Sequence, residues 1–106
     1  MKRGEVWWVE MASGVGGEIR KGRPAIIVSN DSSNRHLNRL QIVPITTSVD
    51  RLYPSEAIVI VRGKRHKAMA DQLSMVSKRR LRDRMGSLSQ QDLSAVERAI
   101  CVQLGL

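Results

Sequence analysis

The residue best equipped for chemistry in this chain is Arg23, which stands directly before Pro24 at the head of the apolar run Ala25-Ile26-Ile27-Val28. Proline biases the residue before it toward extended backbone and has no N–H of its own, so a cation here is fixed at the mouth of a strand. A guanidinium offers its N–H donors in a rigid fork that suits a phosphate. The second candidate is Thr46, which with Thr47 and Ser48 lines up hydroxyls after Val43-Pro44-Ile45. If the two runs are antiparallel neighbours, one starts where the other ends, and Arg23 and Thr46 face each other across a cleft. Spacing alone leaves other roles open: an ion pair for Arg23 and a turn for Thr46 fit it equally well. Little else competes. His36 and His66 are isolated and read as loop residues, and the single Cys101 is assigned to the core. The carboxylates are scattered singly, which argues against a two-metal nuclease. No metal and no cofactor is expected.

Several elements must position these groups. Residues 3–11 alternate as a first strand, with Val6 and Trp8 on one face and Trp7 and Val9 on the other. Two apolar faces place it near a barrel seam or a subunit contact, and the tryptophans read as packing rather than as platforms for bases. Residues 12–22 hold Gly14, Gly16, Gly17 and Gly22 and make a long hairpin loop charged by Glu18, Arg20 and Lys21. No Gly-Lys-Ser/Thr follows, so it is not a P-loop. Ala25–Val28 is a buried, β-branched strand. Asn30 to Leu37 gives one helical turn capped by Asn30 or Asp31. Leu40 to Thr47 is the next strand, restricted by Pro44 to an edge, a bulge or a bend.

Ser55–Val61 is a further strand, 62–67 a basic turn, and Ala68–Val76 a strand. Its central Asp71 and Gln72 serve as hydrogen-bonding struts or as site residues, struts being the preferred reading. Ser77 caps a helix over Lys78–Met85 that Gly86 ends. Ser89 with Asp92 resembles a capping box for a last helix, with Leu93, Val96, Ile100 and Leu104 on one stripe and Gly105 at its stop. In a chain of 106 residues this order describes a single α+β domain. Its architecture is a small antiparallel, partly closed β-barrel with short helices and the C-terminal helix packed on it.

Composition narrows the partners. Phe is absent and aromatics make up 3%, so the core is aliphatic and capacity for base stacking is small. No apolar stretch approaches a membrane span, no signal-peptide core follows Met1, and one cysteine suits a reducing compartment; the expected location is the cytoplasm. The net charge is +8, and it is local: residues 62–86 hold nine Lys/Arg against two Asp/Glu. Such a segment suggests a polyanionic partner, nucleic acid or acidic protein, with equal room for a solvated cationic helix.

The order of the motifs adds a resemblance. Gly4-Glu5-Val6-Trp7-Trp8-Val9, the Gly16–Glu18 element and Arg23-Pro24-Ala25-Ile26-Ile27-Val28-Ser29-Asn30 resemble the opening of MazF/PemK-type toxins. The likeness continues through Val43-Pro44-Ile45-Thr46-Thr47, Tyr53-Pro54, Ala70-Asp71-Gln72-Leu73 and Lys78-Arg79-Arg80-Leu81. It implies a PemK-like barrel, related in shape to SH3 barrels, over residues 1–106, forming a homodimer. It also implies a sequence-specific endoribonuclease that cuts single-stranded mRNA as the toxin of a type II toxin–antitoxin system, inhibiting translation and growth. A cognate antitoxin with an acidic C-terminal tail would hold it inactive, folding into the basic groove as it binds. The resemblance makes Arg23 and Thr46 the catalytic pair and gives Glu18 an RNA contact. Arg20, Lys21, Thr47, Ser48 and Gln72 join Glu18 as expected RNA-binding residues.

The implied chemistry is coherent without a metal. RNA supplies its own nucleophile, the 2′-OH, which attacks the adjacent phosphorus and expels the 5′-oxygen, leaving a 2′,3′-cyclic phosphate and a 5′-OH. Arg23 would hold the phosphate oxygens and Thr46 would donate to a non-bridging oxygen, in the manner of an oxyanion hole. Arginine keeps its proton to above pH ~12, so it is poorly suited to be the base; Glu18 or a water could serve. Two other readings share the barrel: a non-enzymatic toxin poisoning a protein such as DNA gyrase, and a non-catalytic RNA-binding barrel.

Overall fold

The computed structural model describes residues 1–11 and 22–106. The strands are β1 (Glu5–Glu10), β2 (Gly22–Ile27), β3 (Arg39–Thr46), β4 (Glu56–Val61), β5 (Lys64–Met69), β6 (Ser74–Ser77) and β7 (Leu81–Ser87). Helix α1 (Asp31–His36) joins β2 to β3, and α2 (Gln90–Leu104) follows β7. Ala25, Ile26 and Ile27 of β2 and Leu40, Ile42 and Val43 of β3 are all 0% exposed. Side chains alternate across a strand, so burial of consecutive residues means that both faces of the sheet are covered. Val6, Ile26, Val43, Ile45, Val59 and Val96 pack on one face; Val9, Ala25, Ile27, Leu40, Ile42, Val76 and Leu81 pack on the other. The core is aliphatic, as composition requires.

Among the described residues seven strands form one antiparallel sheet in the order β4-β5-β3-β2-β1-β7, with β6 also paired to β3. The sheet curls until its ends meet: Arg62 Nε, in the β4–β5 turn, donates to the Met85 carbonyl of β7 at 2.9 Å. That turn is the two residues Arg62 and Gly63, at φ 52° and 73°. Two left-handed residues match the twist of a tight hairpin, and Gly63 adopts that region at no steric cost. The architecture is therefore the expected α+β half-barrel with a C-terminal helix.

Pro44 is neither at an edge nor in a bulge. It sits in β3, buried, opposite Ala25 of β2. Val28 N donates to the Gln41 carbonyl at 2.9 Å. By the alternation of an antiparallel ladder, residue 44 then turns its nitrogen away from β2. On that far side β3 pairs with β6 over Arg39–Ile42 and with β5 over Ile45–Thr46. The missing N–H falls in the gap between the two partners, where no ladder bond is lost.

Four sequence expectations change. The run 68–76 is not one strand: β5 ends at Met69, a 3₁₀ turn covers Ala70–Gln72, and β6 begins at Ser74. Asp71 and Gln72 are accordingly exposed on a turn rather than buried in a strand. Lys78–Met85 is not a helix; a 3₁₀ turn at Lys78–Arg80, capped by Ser77, leads into β7, which pairs with β1. Most of the basic turn 62–67 is strand β5, and Cys101 is exposed.

The helix signals fare better. Asn30 caps α1 by accepting from Ser33 N at 2.8 Å, while Asp31 accepts from Arg3 N at 2.8 Å and ties down the N-terminal segment. That N–H is the main reason the Asp31 carboxyl lies below its usual range. Ser89 accepts from Asp92 N at 3.1 Å, as in a capping box, yet the Asp92 carboxylate accepts from Ile60 N at 2.9 Å instead of turning back. It joins α2 to the edge strand β4. Val96 and Ala99 are the buried residues of α2, and Leu104 is exposed.

One contact is unusually close. The Trp8 indole lies against Gly22, where a Cβ would come within 1.9 Å of Trp8 Nε1. We expect Gly22→Ala to displace the ring, read as a shift in tryptophan emission and near-UV circular dichroism. Asp92→Ala should lower stability to urea by about 1–2 kcal/mol, the usual loss for a hydrogen bond to a charged group near the surface, with far-UV dichroism unchanged.

Candidate functional site

The β2–β3 register fixes the relation of the two leading candidates. Ala25 is opposite Pro44; two residues further along the same register, Arg23 stands opposite Thr46. Thr46 is in turn opposite Lys67 of β5. Cross-strand partners share a face, so Arg23, Thr46 and Lys67 form a row at one end of the sheet. The 3₁₀ turn after β5 brings Gln72 over this row, and Arg23 Nη1 donates to Gln72 Oε1 at 3.4 Å. Gln72 Nε2 rests on Met69 Sδ at 3.5 Å. Gln72 therefore lies within hydrogen-bond reach of the guanidinium, from an exposed turn and not from inside a strand.

Thr46 has a turn role as well. Its Oγ1 accepts from Ser48 N at 3.2 Å, and Ser48 Oγ donates to Asp50 Oδ1 at 2.9 Å. The Ser48 hydroxyl is the largest of the causes holding the Asp50 carboxyl below its usual range. Ser48 therefore orders the turn rather than facing the cleft. The Thr46 hydroxyl hydrogen remains available, because in that bond the oxygen accepts. Lys67 Nζ donates to the Arg51 carbonyl at 3.1 Å and pairs with Glu56 at 3.5 Å, holding the loop after β3 against β5.

Arg23, Thr46 and Thr47 lie on the rim of a cleft of about 360 Å³, lined further by Trp8, Pro24, Ile45, His66 and Met85. Glu18, Arg20 and Lys21 lie outside the described residues. His66 is not a loop residue: it sits in β5, 6% exposed, with Nδ1 3.0 Å from the Lys64 carbonyl. Its strand was hidden in the sequence by the basic neighbours Lys64, Arg65 and Lys67, which read as a turn. His36 is exposed on α1, with Nδ1 2.8 Å from Ser32 O. Trp7 packs partly into the core, whereas Trp8 is 41% exposed.

Four further arginines, Arg79, Arg80, Arg82 and Arg84, gather at the β1–β7 edge. Arg79, Arg80 and Arg82 surround a second hollow of about 290 Å³ with Ser77 and Glu10. Arg82 Nε donates to Glu10 Oε2 at 3.0 Å, and Arg84 pairs with Glu5 at 3.3 Å. Burial alone would raise the Glu5 carboxyl; the Lys2 N–H, the Trp7 indole N–H, the N-terminus and Arg84 together bring it below its usual range. Among the described residues no three of His, Cys, Asp and Glu gather closely enough to hold a metal ion. Nor is any helix among them long and apolar enough to cross a membrane.

Known proteins carry the same plan. Endoribonuclease MazF9 of Mycobacterium tuberculosis (strain ATCC 25618 / H37Rv) is 31% identical over 115 residues, covering 100% of this chain and 98% of that protein. The solved structure of MazE–MazF (Form-II) from Deinococcus radiodurans contains a chain that superposes with a TM-score of 0.85 at 22% identity, over 100% of this chain and 96% of that one. An endoribonuclease in complex with its cognate antitoxin, from a mycobacterial species, superposes at 0.83 with 24% identity, over 100% and 96%. The sequence model of the PemK-like, MazF-like toxins matches residues 2–104. The chain belongs to the PemK-like, MazF-like toxins of type II toxin–antitoxin systems.

Proposed function

We propose that this endoribonuclease toxin, working as one domain over residues 1–106, cleaves single-stranded RNA in the cytoplasm with Arg23 and Thr46 as its catalytic pair. The observation that carries the reading is the register that sets Arg23 opposite Thr46 on the rim of one cleft. The substrate 2′-OH attacks phosphorus as the P–O5′ bond breaks. Negative charge builds on the non-bridging oxygens. Arg23, braced by Gln72, donates to those oxygens from a fixed direction, and the Thr46 hydroxyl donates to one of them. Preorganised donors of this kind need no rearrangement as the charge develops. The 2′-OH proton leaves to a group other than these two, and the departing 5′-oxygen takes up a proton. The products are a 2′,3′-cyclic phosphate and a 5′-OH, and no metal enters the scheme.

Thr47 contacts RNA from the rim, and Glu18, Arg20 and Lys21 from the segment before β2. The arginines along β7 extend an electropositive path away from the cleft. The same path suits the acidic C-terminal tail of a cognate antitoxin, which would inhibit by occupying it. Two copies of the chain form the working dimer.

The test incubates purified protein with a long RNA in EDTA and maps the new 5′ ends. Wild type should leave 5′-OH and 2′,3′-cyclic phosphate ends. Arg23→Ala and Thr46→Val should each lose ~10²- to 10³-fold in kcat, the usual effect of removing one preorganised donor. Cleavage that survives unchanged in Arg23→Ala would falsify the assignment. Binding to an uncleavable DNA analogue should weaken by ~0.7 log units per phosphate contact for each tenfold rise in salt. Arg79→Ala or Arg80→Ala should flatten that slope by about one contact each.

A further inference from the structure

The cleft lies at the strand ends that carry the catalytic row, and it takes in side chains from both faces of those strands. Arg23, Thr46 and Lys67 share one face by register. Their neighbours Pro24, Ile45 and Ala68 share the other, and His66 follows Ala68 on that side by alternation. Trp8 is opposite Pro24 across the β1–β2 pair and joins them. Trp8, Pro24, Ile45 and His66 of this second face line the cleft of about 360 Å³ together with Met85 of β7. The catalytic residues line it as well: Arg23, Thr46 and Thr47 stand beside an apolar part made by Trp8, Pro24, Ile45 and Met85.

Two ring nitrogens on this face have no protein hydrogen-bond partner among the described residues. Trp8 Nε1 has no hydrogen-bond partner among the described residues, and its ring, seated on Gly22, stays 41% exposed. His66 is one of three buried polar residues among those described; the other two, Ser29 and Asn34, bond each other at 2.5 and 2.9 Å. His66 uses only Nδ1. A carbonyl can only accept, so the contact with Lys64 O puts a hydrogen on Nδ1, and in the Nδ1–H tautomer Nε2 is the acceptor. Away from Arg23 and Thr46, the Trp8 ring, the apolar Pro24, Ile45 and Met85 and the His66 acceptor do not suit a phosphate. They suit a planar heterocycle with an N–H on its edge. The volume lies in the ~300–1,000 Å³ range of small-ligand sites.

We propose that this cleft is a nucleobase site, which holds one unstacked base of the RNA strand beside the phosphate engaged by Arg23 and Thr46. The base stacks on Trp8 and presents an N–H donor to His66 Nε2, so the cleft contributes to the sequence preference of cleavage. The inference rests on the endoribonuclease reading above and names a part of its substrate site. Single-stranded RNA permits this arrangement because its bases can splay away from the backbone and stack on aromatic side chains.

Two measurements test it. The first compares kcat/KM for an RNA carrying the preferred base at each position beside the scissile bond with RNAs substituted there. His66→Asn keeps a donor for the Lys64 carbonyl and removes the Nε2 acceptor; it should reduce discrimination at one position by about threefold to tenfold, the worth of one hydrogen bond. The second titrates an uncleavable oligodeoxynucleotide of the preferred sequence into Trp7→Phe protein, whose emission then reports Trp8. Stacking should quench it, and Trp8→Leu should weaken binding by ~5- to 100-fold. Discrimination unchanged in His66→Asn, or Trp8 emission indifferent to the oligonucleotide, overturns the base site while Arg23-dependent cleavage still stands. Emission that follows protein concentration instead assigns this face to a second copy of the chain, and also overturns it. A wild type that cuts no RNA overturns the function reading, and the same titration with a mixed-sequence oligodeoxynucleotide, needing no cleavage, still decides the base site.

Discussion

Strand β3 is hydrogen-bonded along both edges, and the residue at which one edge changes partner is the residue that has no N–H to give. Pro44 faces the gap between β6 and β5 with the one backbone nitrogen that needs no acceptor. A different residue there would present a buried donor to that gap, at a cost of ~1–3 kcal/mol unless it found a partner. The gap has a structural consequence. The chain leaving β5 must climb out of the sheet before it returns as β6, and it does so through the 3₁₀ turn at Ala70–Gln72. That detour lifts Gln72 over β3 to the guanidinium of Arg23 on β2. The brace on the leading cation of the site thus follows from the way the central strand shares its edges.

The exposed sheet edge is handled by charge. β7 is the last strand of the path, and Arg82, Asp83 and Arg84 are exposed on it. Charged side chains on an edge discourage pairing with further strands. Here they also pin β7 to β1, because Arg82 reaches Glu10 and Arg84 reaches Glu5. Exposed ion pairs of this kind add little to stability one by one. Their larger effect is on the field: two carboxylates offset two of the arginines, and Arg79 and Arg80 remain at the hollow's edge to attract a polyanion.

Much of this architecture was legible because apolar runs and turn residues agreed. Ala25–Val28, Ser55–Val61, the Asn30 cap and the Ser89 start all follow from local rules, and the antiparallel return of β3 put Arg23 opposite Thr46. The failures share one cause, which is non-local pairing. Lys78–Met85 is rich in arginine and carries Leu81 and Met85 at i, i+4, a helical signature. Four is also an even number, so the same spacing fits a strand. Pairing with β1 decided the matter, and irregularities in that pairing at Val6/Trp7 and Trp7/Val9 let Leu81 and Met85 serve different cores. His66 was lost for a related reason. Alternation in β5 buries it between Lys64 and Ala68, but four basic residues in a row of six hide the period.

Placing a polar row beside an open aromatic surface, at the same strand ends, restricts what can bind both. Arg23 and Thr46 stand on the rim the two faces share. A ligand that meets the guanidinium with a phosphate and the Trp8 ring with a base must fold over that rim within one nucleotide. The bases of a duplex are stacked and paired, and extruding one means breaking both interactions. A single strand has already given up most of that stacking and turns over the edge at small cost. Selection for unpaired RNA therefore needs no element that recognises the single strand as such. On the base-site proposal it follows from the Trp8 ring lying open beside the row, and the missing side chain of Gly22 is what lets that indole lie against β2.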